Sequence, residues 1–362
     1  MAESVRVGCC RAWRLAAGLA VALGAVAAAP AAAAPDLVLP WPEEAQAAGP
    51  AGERVGFDSA SPFAFSDAGK GADTDPGAAP PTEAVATLFL PPGASAAAPV
   101  PAVVLLHGAA GVQSVRELTY GRQFAANGVA ALAVDVFAPR RERASGFINR
   151  LLEITEAMFL ADAYAALEYL AERPEIDADR VALVGFSYGG MVATYAAYAQ
   201  VAERYAPGGL RFAAHVAFYA PCIAEFEDGR ATGAPVLMLW GGRDAIVDPD
   251  RCARTARALE AGGAEVETVV YPEAVHQWDG RFAAEREMGR NIADCHFYVE
   301  RDGTVRDKAL WLPMSSVFYR KIILGLCADS EGYLIGRNDA VRASSNRDMG
   351  AFLARALAAP EG

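Results

Sequence analysis

A pentapeptide, Gly185-Phe186-Ser187-Tyr188-Gly189, lies directly after the apolar run Val181-Ala182-Leu183-Val184, and this junction constrains the chain more than any other feature. A run of that kind reads as a buried strand, and the segment after the pentapeptide reads as a helix. The serine between them must then sit at the apex of a sharp turn, in a strained backbone conformation with its hydroxyl presented outward. Glycines two positions to either side let the backbone close without a Cβ in the way. The strand before and the helix after are the context that turns a bare G-x-S-x-G match into a nucleophile assignment. A serine hydroxyl attacks poorly unaided and needs a histidine base oriented by a carboxylate.

Only four histidines are present. His215 lies inside the apolar run Phe212–Tyr219 and reads as a core residue. His296 follows Cys295 in an irregular stretch. His107 closes the run Val103–Leu106 and opens the turn His107-Gly108-Ala109-Ala110-Gly111, a place suited to shaping an oxyanion loop. His276 is left, in Tyr271-Pro272-Glu273-Ala274-Val275-His276, just past the last sheet-like strand, and is the expected base. The acid is expected between serine and histidine in chain order. Asp244 follows Leu237-Met238-Leu239-Trp240 and is preferred; Asp248 is the alternative, and Asp250 reads as a cap of the next helix. Oxyanion donors are expected from the N–H of Tyr188, at a helix start where donors are unpaired, and of Ala109, with Ala110 as the alternative. Acyl transfer by such a set calls for no metal or cofactor.

Strand-like and helix-like segments alternate from Val85 onward. Strands are expected at Val85–Leu90, Ala102–Leu106, Val129–Val136, Val181–Gly185, Ala213–Tyr219, Pro235–Trp240 and Glu265–Tyr271. Helices are expected at about Val115–Asn127, Leu151–Ala171, from Tyr188 and at Arg251–Ala261. In the second of these, Leu151, Ile154, Met158, Ala161, Ala165 and Tyr169 recur at helical spacing and are expected to line one face. This alternation implies an α/β fold, a mostly parallel sheet with helices on both faces, whose ligands bind beyond the carboxyl ends of the strands. Residues 35–84, rich in Pro, Ala, Gly and Asp with one strand-like piece at Glu53–Phe57, read as an extended lead-in; a single domain is expected over 85–362.

Residues 1–34 read as a secretory signal: Arg6, Arg11 and Arg14 precede the apolar stretch Leu15–Ala29, and small residues come after it. The expectation is an exported protein with no lasting membrane span. The formal net charge of −12 argues against a surface built to bind nucleic acid. Beyond the signal four cysteines remain, Cys222, Cys252, Cys295 and Cys327, with no C-x-x-C spacing. An even number in an exported chain suggests two disulfides, and four cysteines allow three pairings.

From about Val85 to the C-terminus the chain resembles the dienelactone hydrolase family of α/β-hydrolases. The resemblance rests on His107-Gly108-Ala109-Ala110-Gly111, Gly185-Phe186-Ser187-Tyr188-Gly189-Gly190, Gly242-Arg243-Asp244 and Tyr271-Pro272-Glu273-Ala274-Val275-His276-Gln277-Trp278-Asp279. It implies the α/β-hydrolase fold, a triad of Ser187, Asp244 and His276, and oxyanion donors at Ala109 and Tyr188. The chain departs from the family at three places. Dienelactone hydrolases proper carry a cysteine nucleophile where this chain has Ser187. The arginine that holds the substrate carboxylate meets Pro139, leaving Arg140 and Arg141 as the substitutes. The segment from about 280 to 342 is an insertion. Exported members of the family have paired cysteines that match Cys222 and Cys252, which implies that bond and leaves Cys295 with Cys327. The implied activity is hydrolysis of small-molecule carboxylic esters or lactones, the alternatives being acyl transfer on the same fold and a non-catalytic binding protein. A lipase-like lid has two candidate sources, Phe147–Met158 and the insertion. Oligomeric state is not legible.

Overall fold

The computed structural model describes Leu37 and residues 49–68, 79–143 and 145–359. The stretch read as a signal lies outside the described residues. The architecture is an eight-stranded sheet with helices on both faces. Its strands are β1 (Glu53–Ala60), β2 (Pro81–Phe89), β3 (Val100–Leu106), β4 (Ala130–Val134), β5 (Ile176–Phe186), β6 (Ala214–Phe218), then β8 (Val236–Gly241) and β9 (Val266–Tyr271) after a short strand β7 (Ala224–Phe226) outside the sheet. The order across the sheet is β1-β2-β4-β3-β5-β6-β8-β9. The first two strands run antiparallel and β4 through β9 are parallel, as the alternation of elements implies. The strand read at Glu53–Phe57 is β1, paired along its whole length from Glu53 opposite Leu88 to Ala60 opposite Pro81. The sheet therefore begins inside the stretch read as a lead-in, not at Val85.

Central strands such as β3, β4 and β6 are buried on both faces, which explains their continuous apolar runs. The helices that cover them are α1 (Thr119–Ala126), α3 (Glu156–Ala171), α4 (Tyr188–Ala196), α5 (Ala199–Tyr205), α6 (Pro249–Ala261) and α8 (Asp339–Ala356), with a short α2 (Phe147–Glu153) before α3. One long helix over Leu151–Ala171 is not formed. The chain breaks at Ile154–Thr155: Ile154 turns into the core and its carbonyl accepts the Tyr188 hydroxyl at 3.1 Å. Helix α3 then buries Ala157, Phe159, Leu160, Ala163, Ala166, Leu167 and Leu170 as well as Met158, so its buried surface is broader than the single face expected, while Ala161, Ala165 and Tyr169 are only partly covered.

The segment read as an insertion, here called the insertion segment, contributes β10 (Arg286–Met288), β11 (Phe297–Val299), β12 (Val305–Asp307), α7 (Val317–Cys327) and β13 (Tyr333–Ile335). It is stitched to the sheet domain rather than hung from it. β11 pairs in parallel with β7, and β10 pairs with β13. Both expected disulfides are formed, Cys222–Cys252 and Cys295–Cys327.

Candidate active site

The turn from β5 into α4 has the geometry the pentapeptide calls for. Ser187 stands at φ 54°, ψ −111°, outside the regions open to an unstrained L-residue. Its N–H donates to Phe218 O of the neighbouring strand at 2.9 Å, and its own carbonyl accepts from Met191 N at 2.9 Å. A Cβ at Gly185 would run into the Gly189 carbonyl, and one at Gly189 into the Leu106 carbonyl, so both positions exclude a side chain.

Ser187 Oγ lies 2.8 Å from His276 Nε2, and His276 Nδ1 lies 2.8 Å from Asp244 Oδ2. The segments following β5, β8 and β9 supply the three groups. All are shielded: Ser187 is 8% exposed, Asp244 4% and His276 0%. The second Asp244 oxygen accepts from Ile246 N at 3.2 Å, which keeps the carboxylate aimed at the imidazole. The alternative acid is engaged elsewhere, since Asp248 Oδ1 accepts from Asp250 N and Arg251 N at 2.9 and 3.1 Å and caps α6. The cap is thus Asp248 and not Asp250, which occupies the first turn.

The insertion holds His276 in place. The His276 N–H donates to Leu334 O, and Gly336 N donates to His276 O, each at 3.0 Å. Tyr333 and Tyr219 flank the imidazole edge-on, with ring centroids 5.2 and 4.9 Å away. Sequence reading did not single out either tyrosine. Tyr219 anchors a buried polar network next to the base. Its hydroxyl donates to Asp279 Oδ1 at 2.6 Å and accepts from Arg116 Nη1 at 3.1 Å. Tyr120 donates to Asp279 Oδ2 at 3.1 Å, and Arg116 Nε donates to Glu117 at 2.8 Å. Burial lowers the Arg116 pKa, but Glu117, Tyr219 and Asp279 outweigh it and raise it above its ordinary value, so the guanidinium stays charged. Burial, with Asp279 adding to it against Arg116, pushes the Tyr219 hydroxyl well above its usual range, so it stays a donor.

The turn after β3 closes against the serine. The Gly111 N–H donates to Gly108 O at 3.0 Å, and an added Cβ at Gly108 would stand 3.2 Å from Ser187 Cβ. Ala109 and Ala110 occupy this turn, and Tyr188 is the first residue of α4, where its N–H has no acceptor within the helix. His107 pins the turn from below. Its Nε2 accepts from Val136 N at 3.2 Å, which leaves Nδ1–H to donate to Gly108 O at 2.7 Å. Burial lowers its pKa, in keeping with a neutral ring. His215 is a core residue as expected, and His296 pairs with Glu225 at the surface at 2.8 Å.

Arg140 is not a substrate arginine. It is 5% exposed and fully engaged with Asp162 (2.6 and 2.9 Å), Ser61 Oγ (3.0 Å), Val136 O (2.9 Å) and Ala60 O (2.9 Å), a clamp between β1 and α3. Arg141 is exposed and borders a surface groove with Pro80 and Thr82, whose lining does not include Ser187.

Sheet order, elbow and strand-end loops define a hydrolase of the α/β-hydrolase fold. The model of the dienelactone hydrolase family matches residues 86–296, more than half of the chain, and the chain belongs to that family. Among curated relatives it is 25% identical over 200 residues to a protein of Yersinia pestis named "Putative carboxymethylenebutenolidase", covering 51% of this chain and 70% of that one. Among solved structures, a dienelactone hydrolase-like promiscuous phosphotriesterase from metagenomic libraries is 22% identical with TM-score 0.44, over 63% of this chain and 85% of that one. The apo form of Thermogutta terrifontis esterase 2 is 17% identical with TM-score 0.44, over 54% and 81%. The chain is an esterase-like hydrolase enzyme of that family, and its substrates are small-molecule esters.

Proposed function

We propose that the enzyme cleaves carboxylic esters through an acyl-enzyme on Ser187. The unbroken line Ser187 Oγ–His276 Nε2–His276 Nδ1–Asp244 Oδ2, with both contacts at 2.8 Å, carries this reading. Ser187 Oγ attacks the ester carbonyl while His276 Nε2 takes the hydroxyl proton. The carbonyl oxygen becomes an oxyanion and accepts from the N–H of Ala109 in the turn after β3 and from that of Tyr188, at a helix start where the dipole favours negative charge. His276 returns the proton to the departing alkoxide, leaving an acyl-serine and the free alcohol. Water then attacks the acyl carbon, giving up its proton to His276, and the acid leaves as Ser187 is regenerated. Asp244 holds the imidazole tautomer and stabilises the imidazolium without taking the proton. Two disulfides, together with the signal-like start of the sequence, support export to an oxidising compartment. No helix among the described residues is long and apolar enough to cross a membrane.

Hydrolysis of p-nitrophenyl acetate and butyrate tests the mechanism. Ser187→Ala and His276→Ala should each lower kcat by about 10⁴-fold or more, and Asp244→Asn by about 10⁴-fold, as in other triads. A Ser187→Ala variant within tenfold of wild type would rule out the acyl-serine.

A further inference from the structure

Burial of apolar side chains fails in one region. Nine large hydrophobic side chains are exposed among the described residues, and six of them, Phe147, Ile148, Val317, Phe318, Ile322 and Leu326, sit on α2 and α7. These two helices pack against each other. The exposed positions of α7 are Val317, Phe318, Lys321, Ile322, Gly325 and Leu326. They recur at three- and four-residue steps and so share one face. Arg320 and Ile323 are buried on the other side. The usual sense of an amphipathic helix is inverted, with an arginine inside and an apolar stripe outside. Helix α7 contains no carboxylate, and Lys321 is the single charge among its exposed positions.

The two helices adjoin the candidate active site through their inward sides. Arg320 Nη2 donates to the Tyr188 hydroxyl at 3.2 Å, one residue past the serine, and Arg320 Nε donates to Leu151 O of α2 at 2.6 Å. Arg150 of α2 reaches Ala110 O in the turn after β3 at 3.4 Å. The far end of α7 is held by Cys295–Cys327, and Tyr333 beyond it packs on His276. The helix is a platform fixed near both ends.

We propose that the α2–α7 face docks on an anionic lipid surface and sets Ser187 beside the lipid–water interface. Scattered exposed apolar residues are ordinary on a protein surface, but a contiguous group on two touching helices is not. Phe, Ile, Leu and Val with a lysine among them match a helix lying at the level of lipid headgroups. The whole chain carries a formal charge of −12, whereas α7 has no carboxylate and the Arg150 and Glu153 of α2 offset each other, so this face repels anionic lipid less than the surface as a whole. A second copy of the chain fits less well. A two-fold interface sets one patch against itself and would enclose two Lys321 ammonium groups with no α7 carboxylate to pair them. That the docked enzyme draws lipophilic esters from the interface rests on the acyl-serine reading; the docking does not.

Flotation of the full chain with phosphatidylglycerol or phosphatidylcholine vesicles tests this. The variants are Phe318→Ser/Leu326→Ser, Lys321→Glu and Ser187→Ala. Wild type and Ser187→Ala should float with phosphatidylglycerol, and the double variant should bind at least tenfold more weakly. Lys321→Glu should lose the preference for phosphatidylglycerol. Both surface variants should keep wild-type hydrolysis of soluble p-nitrophenyl acetate, which shows that they fold. Absence of wild-type flotation, or flotation unchanged in the double variant, overturns the proposal. A wild-type dimer in sedimentation that the double variant turns into monomer overturns it in favour of self-association. A wild type that floats without hydrolysing esters refutes the acyl-serine reading alone.

Discussion

Replacing Tyr219 by phenylalanine removes one oxygen atom and asks whether the buried network under His276 holds the site together. In the native protein that oxygen donates to Asp279 Oδ1 at 2.6 Å and accepts from Arg116 Nη1 at 3.1 Å. Without it, the nearest cationic group to Asp279 Oδ1 is Arg116 Nη1 at 3.9 Å, beyond hydrogen-bond reach. Arg116 already has one nitrogen, Nη2, without a hydrogen-bond partner, and would gain a second. A hydrogen bond to a charged group contributes roughly 1.5–3 kcal/mol, and an unsatisfied buried group costs about 1–3 kcal/mol. Tyr120 still serves Asp279 Oδ2 and Glu117 still pairs with Arg116, so the losses overlap and do not simply add. The expected destabilisation is about 2–4 kcal/mol, a large share of the roughly 5–15 kcal/mol that holds a typical domain folded.

Urea unfolding with the disulfides intact reads this as a fall in midpoint at constant slope. The phenyl ring remains edge-on to His276 and Trp278, whose centroids lie 4.9 and 4.7 Å from that of Tyr219. Ester hydrolysis at a temperature where the variant is folded should therefore change by less than about tenfold. Tyr219→Leu also removes the ring, and should lose activity beyond what Tyr219→Phe does. A Tyr219→Phe variant with an unchanged urea midpoint would refute the network's part in stability. Equal activity in the two variants would refute the part of the ring in positioning His276.

Substitutions at three further places probe the buried titratable groups and the staple of the insertion. Arg140→Ala should destabilise by about 3–5 kcal/mol, because it strands the buried Asp162 carboxylate, and should leave the preference between neutral and carboxylate-bearing esters unchanged; Arg140→Met with Asp162→Leu should recover most of that loss in thermal melts. His215 is fully buried, and burial drives its pKa down from 6.5 to about 3, against only a weak pull from the Ala193 backbone. Below pH ~6.5 the unfolded chain binds a proton there that the folded chain refuses, so stability falls by up to about 1.4 kcal/mol per pH unit down to about pH 3; His215→Leu should flatten a plot of urea midpoint against pH over that window. Cys295→Ser with Cys327→Ser opens a link between residues 32 apart and should cost about 3–4 kcal/mol by loop-closure entropy, read as a lower melting temperature in oxidised protein.

Local sequence carried the parts of this molecule that are local. Strands β3, β4, β6 and β8 announce themselves as short apolar runs because both of their faces are covered, and the elbow announces itself because only glycine fits around Ser187. Strand β1 was only half legible. It stands at the sheet edge with alternating exposure, and a stretch rich in Gly, Ala, Asp and Pro separates it from β2. Arg140 was misread because its place after β4 resembles a substrate position, whereas its partner Asp162 lies on another helix 22 residues away. No local pattern could join Tyr219 to Asp279 or Arg116, which lie 60 and 103 residues from it. The break between α2 and α3 likewise reflects a tertiary bond, Tyr188 to Ile154, that helical spacing cannot register.

Backbone strain ties the insertion to the chemistry. Among the described residues only Ser187, Tyr219, Gln277 and Trp311 adopt positive φ without being glycine. The first three are the proposed nucleophile, the ring beside the base, and the residue after the base, each just beyond a strand of the sheet. Such conformations cost about 1–3 kcal/mol apiece and persist only where surrounding contacts over-determine them. The contacts can be named. Ser187 and Tyr219 are tied to the next strand through Phe218 O and Leu239 O, while the loop through Gln277 is gripped on either side by Leu334, Gly336 and Asn338 of the insertion and α8. Trp278, fully buried and bonded through Nε1 to Ser345 Oγ, closes that grip from beneath. An isolated sheet domain lacking the insertion would leave His276 with its backbone unpaired and one flank of its ring open. The insertion is therefore one wall of the active site, and removing residues 280–336 should abolish esterase activity even if the sheet still folds.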